Sequence, residues 1–265
     1  MKKILFFITA LAAASIWFTA CDKVEPDNRL IYVEPTQVSR AVLIEDFTGQ
    51  RCVNCPKASE EIEQLQAEYG DSIVIAVAIH SGPFGKTVKG EPTPLYTATG
   101  DEYFNAWGVD AQPIGAIDRL GAFEYTDWQA GVKYELAKEA PVSILIDNAY
   151  DEATATTDID IQLIGLDSTG VTGKLQVWLI EDSIVDYQYM PDGSVNDNYM
   201  HMHVFRTSVN DTWGDNITVA HGDVKTMAYS QQLDAAWIPR HCSIIAFVYD
   251  DTGVKQVAKA KIINN

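Results

Sequence analysis

Past residue 40 the chain opens on an apolar run of strand length, Ala41 to Phe47, which Thr48-Gly49 breaks. After Cys52 and Cys55 the period lengthens. Ala58, Ile62, Leu65 and Tyr69 recur at four, three and four residues, one buried stripe of a helix that Gly70 is placed to end. Ile73 to Ile79 is apolar without alternation, as expected of a strand covered on both faces in a parallel sheet, so the order is strand, helix, strand. From Ser81 to about Ala98 a Gly- and Pro-rich stretch has no period and reads as a long loop, a candidate lid or binding loop or an irregularly packed one. Thr99 with Glu102 forms a capping-box pattern that predicts a short helix through Tyr103, Phe104 and Trp107, ended by Gly108. Pro113 then precedes an apolar strand, Ile114 to Ile117. Thr126 with Gln129 repeats the box and opens a helix whose Trp128, Val132 and Leu136 share one face until Pro141.

Beyond Pro141 the period falls to two. Ile159, Ile161 and Leu163 alternate with Asp158, Asp160 and Gln162, and Leu175, Val177 and Leu179 continue in the same style, which predicts half-buried strands. Asp167-Ser168-Thr169-Gly170 and Asp250-Asp251-Thr252-Gly253 supply turn chemistry, the second between Ile244 to Tyr249 and Val254 to Ile262, a terminal hairpin. Strands without helices between them argue for a β-sandwich. The change of pattern near residue 140, in a chain of 265 residues, predicts an α/β domain over 41–140 followed by an all-β sandwich domain over 141–265.

The N-terminus has a different logic. Lys2 and Lys3 precede an apolar run from Ile4 to Phe18 and then Thr19-Ala20-Cys21, the pattern of an export signal over residues 1–20. The run is shorter than the roughly 18 to 20 apolar residues of a membrane span. Small residues directly before a cysteine resemble the lipoprotein processing box, with Phe18 where that box usually has an aliphatic residue, so Cys21 is expected to be lipidated and residues 21–40 to form a tether, with a short edge strand at Leu30 to Val33. Acyl chains contribute about 0.8 kcal/mol per buried methylene, and two or more anchor a protein firmly. Ordinary cleavage after Ala20 is the alternative. Removing the signal takes away two lysines and no acids, which moves the net charge from -18 to -20 and argues against nucleic acid as a partner.

Export also sets the redox conditions, because an oxidising envelope lets disulfides persist. Four cysteines divide into Cys21 for lipid, Cys52 with Cys55 as a pair, and Cys242, whose place at the start of an apolar strand predicts a buried inert thiol. Two thiols three apart at a strand-to-helix junction can close a small disulfide loop, with the first cysteine at the helix N-terminus, where unpaired amides stabilise a thiolate; Arg51 would add positive charge. The same pair can instead be a structural staple. Zinc is disfavoured because no second Cys or His pair has the spacing to complete four ligands, and no metal or other cofactor is expected. His201 and His203, two apart, would share one face of a strand, which a metal could use, and are read as ordinary surface or interface histidines; His80, at the end of an apolar strand, is read as a hydrogen-bonded loop residue rather than a catalytic base, and Trp178 and Trp213 as core or loop anchors.

Ile44-Glu45-Asp46-Phe47, Thr48 to Arg51 and Cys52-Val53-Asn54-Cys55-Pro56 resemble the active-site region of the thioredoxin superfamily, with an acid six positions before the first cysteine, and Gln112-Pro113 resembles its cis-proline segment. The resemblance implies that Cys52 attacks a substrate disulfide, Cys55 resolves the mixed disulfide, Asp46 assists proton transfer and Pro113 shapes the peptide-binding edge. Arg51 replaces the usual aromatic residue, and Val53-Asn54 is neither of the familiar intervening pairs, which leaves open a potential that spans about -270 to -120 mV in this fold. A closer resemblance covers nearly the whole mature chain: Glu45-Asp46-Phe47-Thr48-Gly49, Trp107-Gly108-Val109 and Met200-His201-Met202-His203-Val204-Phe205-Arg206 are similar to an outer-membrane lipoprotein family of Gram-negative anaerobes, named for its molecular weight of about twenty-eight thousand. It implies an outer-membrane, lipid-anchored location and a thioredoxin-like domain with a trailing β domain, and no established activity. The expected function is thiol-disulfide exchange with the thiols or disulfides of an exported protein, and the alternative is a non-enzymatic surface lipoprotein that binds a partner or polymer around a structural disulfide.

Overall fold

The computed structural model describes residues 38–108 and 110–263; the export segment, Cys21, the tether with its expected strand at Leu30 to Val33, and Val109 lie outside the described residues. Strand β1 (Val42–Thr48) is followed by helix α1 (Cys55–Tyr69) and strand β2 (Val74–His80), which pairs with β1 in parallel. Gly70, at φ 97°, ends α1 in a conformation that only glycine adopts without cost. Helix α2 (Ala98–Ala106), strands β3 (Ile114–Ile117) and β4 (Ala122–Phe123), and helix α3 (Trp128–Leu136) follow, with β3 antiparallel to β1.

Neither capping box forms as expected. Thr97, not Thr99, caps α2 and accepts from the Gly100 amide, because the helix begins two residues earlier; Glu102 instead accepts from Trp213 Nε1 at 3.0 Å. A 3-10 turn over Tyr125–Asp127 leads into α3, and no side chain caps it. This α/β arrangement is thioredoxin-like.

Ten further strands complete the fold: β5 (Val142–Asp151), β6 (Thr156–Gly165), β7 (Val171–Glu181), β8 (Ile184–Tyr189), β9 (Val195–His201), β10 (Val204–Ser208), β11 (Asp215–Val219), β12 (Val224–Gln232), β13 (Cys242–Asp250) and β14 (Gly253–Lys261). The largest sheet has nine strands, in the order β14-β13-β7-β10-β2-β1-β3-β4 with β11 beside β7, so it runs through residues on both sides of Pro141. A three-stranded sheet, β12-β6-β5, packs on β7, β11 and β13 as a sandwich, and β8 with β9 forms a separate hairpin.

Strand parity divides the core. Val42 and Ile44 of β1 and Val74 and Ala76 of β2 face α1 and α3, while Leu43, Phe47, Ile75, Val77 and Ile79 face the opposite way and pack with Tyr103 and Phe104 of α2. Strand β7 corrects the expectation of a half-buried strand. Val177 and Leu179 enter the sandwich core, while Trp178 and Ile180 enter the core under β1 and β2, so both faces are covered and the run is apolar throughout. Trp178 is a core residue and Trp213 packs at that core's edge.

Candidate functional site

Cys52 and Cys55 form a disulfide in the turn between β1 and α1. Cys55, rather than Cys52, opens the helix: Asn54 is the N-cap and Pro56 lies in the first turn, which tolerates a residue without an amide hydrogen. Cys52 precedes the helix in a turn closed by its own amide on Gly49 O at 3.0 Å. The expectation that the first cysteine sits at the helix N-terminus is corrected accordingly: Cys55 is the first residue of the helix. Arg51 also turns elsewhere, donating to Lys86 O at 2.6 Å with its guanidinium 6.0 Å from the Tyr189 ring.

Parity decides which of two adjacent acids faces the disulfide. Asp46 and Thr48 on β1 pair with Ala78 and His80 on β2, and all four lie on the α1 side at the carboxyl end of the sheet. Glu45 points to the other face, where Arg119 binds it at 3.1 Å. Asp46 has no cation beside it and is 1% exposed, and burial pushes its carboxyl up to about 8, so it carries its proton at neutral pH. The Asp46 Oδ1 and His80 Nδ1 atoms are buried without a hydrogen-bond partner. His80 is the last residue of β2, where the apolar run was expected to end, but its Nδ1 lacks the expected hydrogen bond, and burial holds its imidazole well below the ordinary range and neutral.

Gln112 fastens the proline segment to this end of the sheet, donating to Thr48 O at 2.6 Å and Ser81 O at 3.0 Å, and the Gln112-Pro113 peptide is cis. The long loop after β2 packs beside the cysteine turn. A Cβ on Gly49 would lie 2.4 Å from the Phe84 carbonyl carbon, so only glycine lets the two backbones meet.

The hairpin β8–β9 covers the disulfide, which no sequence pattern announced. Gln188 Nε2 donates to Cys52 O at 2.9 Å, the Tyr189 amide donates to Gln50 O at 2.9 Å, and Gln50 Nε2 donates back to Tyr187 O at 3.1 Å. Under this cover Cys52 is 1% exposed and Cys55 2%. His201 ends β9, whereas His203 sits in a left-handed turn at φ 57° before β10, so the two are not successive same-face residues of one strand, yet both line the cavity behind the disulfide. Among the described residues no cluster of three or more His, Cys, Asp or Glu side chains could hold a metal ion. Cys242 is buried, and its thiol is pushed up to about 12 by burial, with Glu181 adding to the effect.

The solved structure of HBP35 of Porphyromonas gingivalis is similar in fold, at a TM-score of 0.68 and 16% identity over 84% of this chain and 76% of that one. A domain of the outer membrane lipoprotein Omp28 from Porphyromonas gingivalis aligns at 23% identity and a TM-score of 0.35 over 46% of this chain and 88% of that one. No curated protein matches significantly. The family model described as outer membrane protein Omp28 matches residues 100–265, more than half of the chain. The chain belongs to the family described as outer membrane protein Omp28, and that membership places it in the cell envelope.

Proposed function

We propose that the protein exchanges disulfides with exported proteins, anchored through Cys21, and that the β8–β9 hairpin must part from the cysteine turn before a partner is engaged. The observation that carries this reading is a Cys52–Cys55 disulfide beside a buried, uncharged Asp46 in a thioredoxin-like fold. Cys52 attacks the partner's disulfide, Cys55 displaces the partner from the mixed disulfide, and Asp46 exchanges the proton of the Cys55 thiol; Pro113 shapes the edge along which the partner lies. A carboxyl poised near neutral pH is suited to give and take that proton. The same steps reversed oxidise a partner dithiol.

Burial of Cys52 favours a second reading, in which the disulfide is a structural staple and the fold a non-enzymatic scaffold. The two separate by trapping. A Cys55→Ser variant of the mature protein, reduced and mixed with envelope extract, accumulates mixed disulfides at Cys52 under the first reading. A Cys52–Cys55 bond that dithiothreitol opens only as fast as the whole protein unfolds, together with no trapped species, establishes the second.

A further inference from the structure

Acidic residues number 37 in the chain against 19 Lys and Arg, yet two stretches beside the disulfide reverse the balance. Residues 47–59 carry Arg51 and Lys57, and residues 81–90 carry Lys86 and Lys89, with no Asp or Glu in either. The fold holds the two stretches together. The Phe84 carbonyl accepts from the Arg51 amide at 3.3 Å, the Lys86 carbonyl accepts from Arg51 Nη1 at 2.6 Å, and Gly49 lets the Phe84 backbone sit against the turn. Lys57 donates to Asn54 Oδ1 at 3.3 Å, which lays its ammonium back over the same turn.

We infer that this cationic rim selects partners that carry acidic residues beside the cysteine they exchange. The inference rests on the exchange reading above and names the class of segment it acts on. Arg51, next to Cys52, is the anchor. Its bond to Lys86 O and its place 6.0 Å from the Tyr189 ring fix the guanidinium without a carboxylate, so the rest of its planar fork is free to bind one. Among the described residues Arg51, Lys57 and Lys89 form no ion pair, whereas Lys86 binds Asp101 at 2.9 Å and contributes less. Val53, 43% exposed between Cys52 and Lys57, adds an apolar contact.

The acids around the rim lie farther out or carry no charge. Asp46 is buried and protonated. Glu60, Glu61 and Glu63 begin five residues past Cys55, about 7.5 Å along the helix and close to one screening length at physiological salt. The protein's own cover has the chemistry expected of a partner. Residues 182–200, which span the hairpin, hold Asp182, Asp186, Asp192 and Asp197 and neither Lys nor Arg, and β8 meets the turn as an extended chain, its Tyr189 amide on Gln50 O. Once the hairpin parts, an acidic segment of the partner meets the charge that the acidic hairpin leaves. The exchange itself is the one already described: as the Cys52–Cys55 bond breaks, a disulfide forms in a partner dithiol, which gives up two electrons and two protons, and both cysteines take them as thiols.

Dithiol peptides identical except for Glu, Gln or Lys on either side of the cysteines, offered to the oxidised mature protein at low salt, test the selection. Flanking charge alters the peptide thiols themselves, so the quantity read is the rate ratio between peptides, compared between wild type and variant. Arg51→Gln should lower the Glu-to-Gln ratio about tenfold, the lower end of the range for electrostatic steering. Lys89→Gln, at an exposed position, should lower it by a smaller factor, and about 0.5 M salt should bring wild type down to the Arg51→Gln ratio. A ratio unchanged in both variants, or a wild-type ratio that salt does not touch, overturns the selection while leaving exchange standing. A folded wild-type protein that oxidises none of the peptides overturns the exchange reading, and the selection with it.

Discussion

Glu45 and Asp46 are consecutive carboxylates on one strand, and the alternation of side chains sends them into different chemistry. Glu45 meets Arg119, whose guanidinium lies 4.3 Å from the Tyr249 ring and 4.7 Å from that of Phe247, so a buried charge pair is enclosed by aromatic faces. Asp46 meets no cation and stays protonated. Neutralising each should therefore have opposite effects. Glu45→Gln leaves the Arg119 charge buried and uncompensated and should cost about 3–5 kcal/mol at neutral pH. Asp46→Asn should stabilise the protein at high pH. The folded Asp46 titrates near 8, above the ordinary carboxylate value, so on raising the pH the unfolded chain ionises first. Stability is intact below about pH 4, falls between about 4 and 8, and the accumulated penalty is on the order of 5 kcal/mol above that window. Urea unfolding at pH 4.5 and 8.5 checks both variants; a wild-type to Asp46→Asn difference that does not change with pH refutes the account. The acid six residues before Cys52 was legible as a member of the site. The unpaired state of that acid was not, because it depends on Arg119 lying on the far face of the sheet beside Glu45, 74 positions from it along the chain.

Single elements were legible wherever one local period sufficed. The stripe Ala58, Ile62, Leu65 became the buried face of α1, and the terminal hairpin became β13 and β14. The hairpin that covers the disulfide was not legible. Val195 to Met200 is almost wholly exposed or half-exposed, so it lacks the alternation that marks a strand against a core, and the hairpin's bond to the cysteine turn, made by Gln188 of β8, spans 136 positions. The long loop over residues 81–98, expected as a candidate lid or binding loop or as an irregularly packed one, flanks the turn and holds it from the side: Leu95 N donates to Gln50 Oε1 at 3.1 Å. An element that rests on a few hydrogen bonds and little apolar burial opens at small free-energy cost. Gln188 is the clasp, since its amide bonds the Cys52 carbonyl directly. Gln188→Ala should lower the opening cost by about 1–1.5 kcal/mol, which is about tenfold in the open fraction, and so quicken reduction of the Cys52–Cys55 bond by dithiothreitol about tenfold. Global stability should fall by no more than that amount. If reduction is unchanged while the hairpin amides exchange faster, another element limits access.

In the molecule as a whole, the two halves that the change of period at Pro141 suggests share one sheet and one core. Strand β10 lies beside β2, joined through Val204 opposite Ala78, and β7 follows beyond it. The face of β1 and β2 formed by Leu43, Phe47, Ile75, Val77 and Ile79 is completed by Trp178, Ile180, Phe205, Ile245 and Phe247 from the later half. Polar groups tie the same seam: Arg40 binds Asp118 at 2.7 Å and also donates to Val254 O, and Gln256 Oε1 accepts from the Ala41 amide at 2.9 Å. Periodicity sees each strand's own faces and cannot tell that one face of the first half waits for residues more than a hundred positions away. Removing residues 141–265 would expose that apolar face and a sheet edge at β2, a template for unwanted pairing. Residues 38–140 alone should therefore aggregate or lack fixed aromatic circular dichroism, and the mature protein should unfold by urea in one transition that aromatic and far-ultraviolet signals report identically. Two separated transitions, or a 38–140 fragment with its own cooperative unfolding, would mean that the shared core adds little and that the site's half of the molecule stands by itself. With a single transition, hairpin and cysteine turn are held in register by the entire sheet, and opening the hairpin is the lowest-cost motion that exposes Cys52 without unfolding the rest.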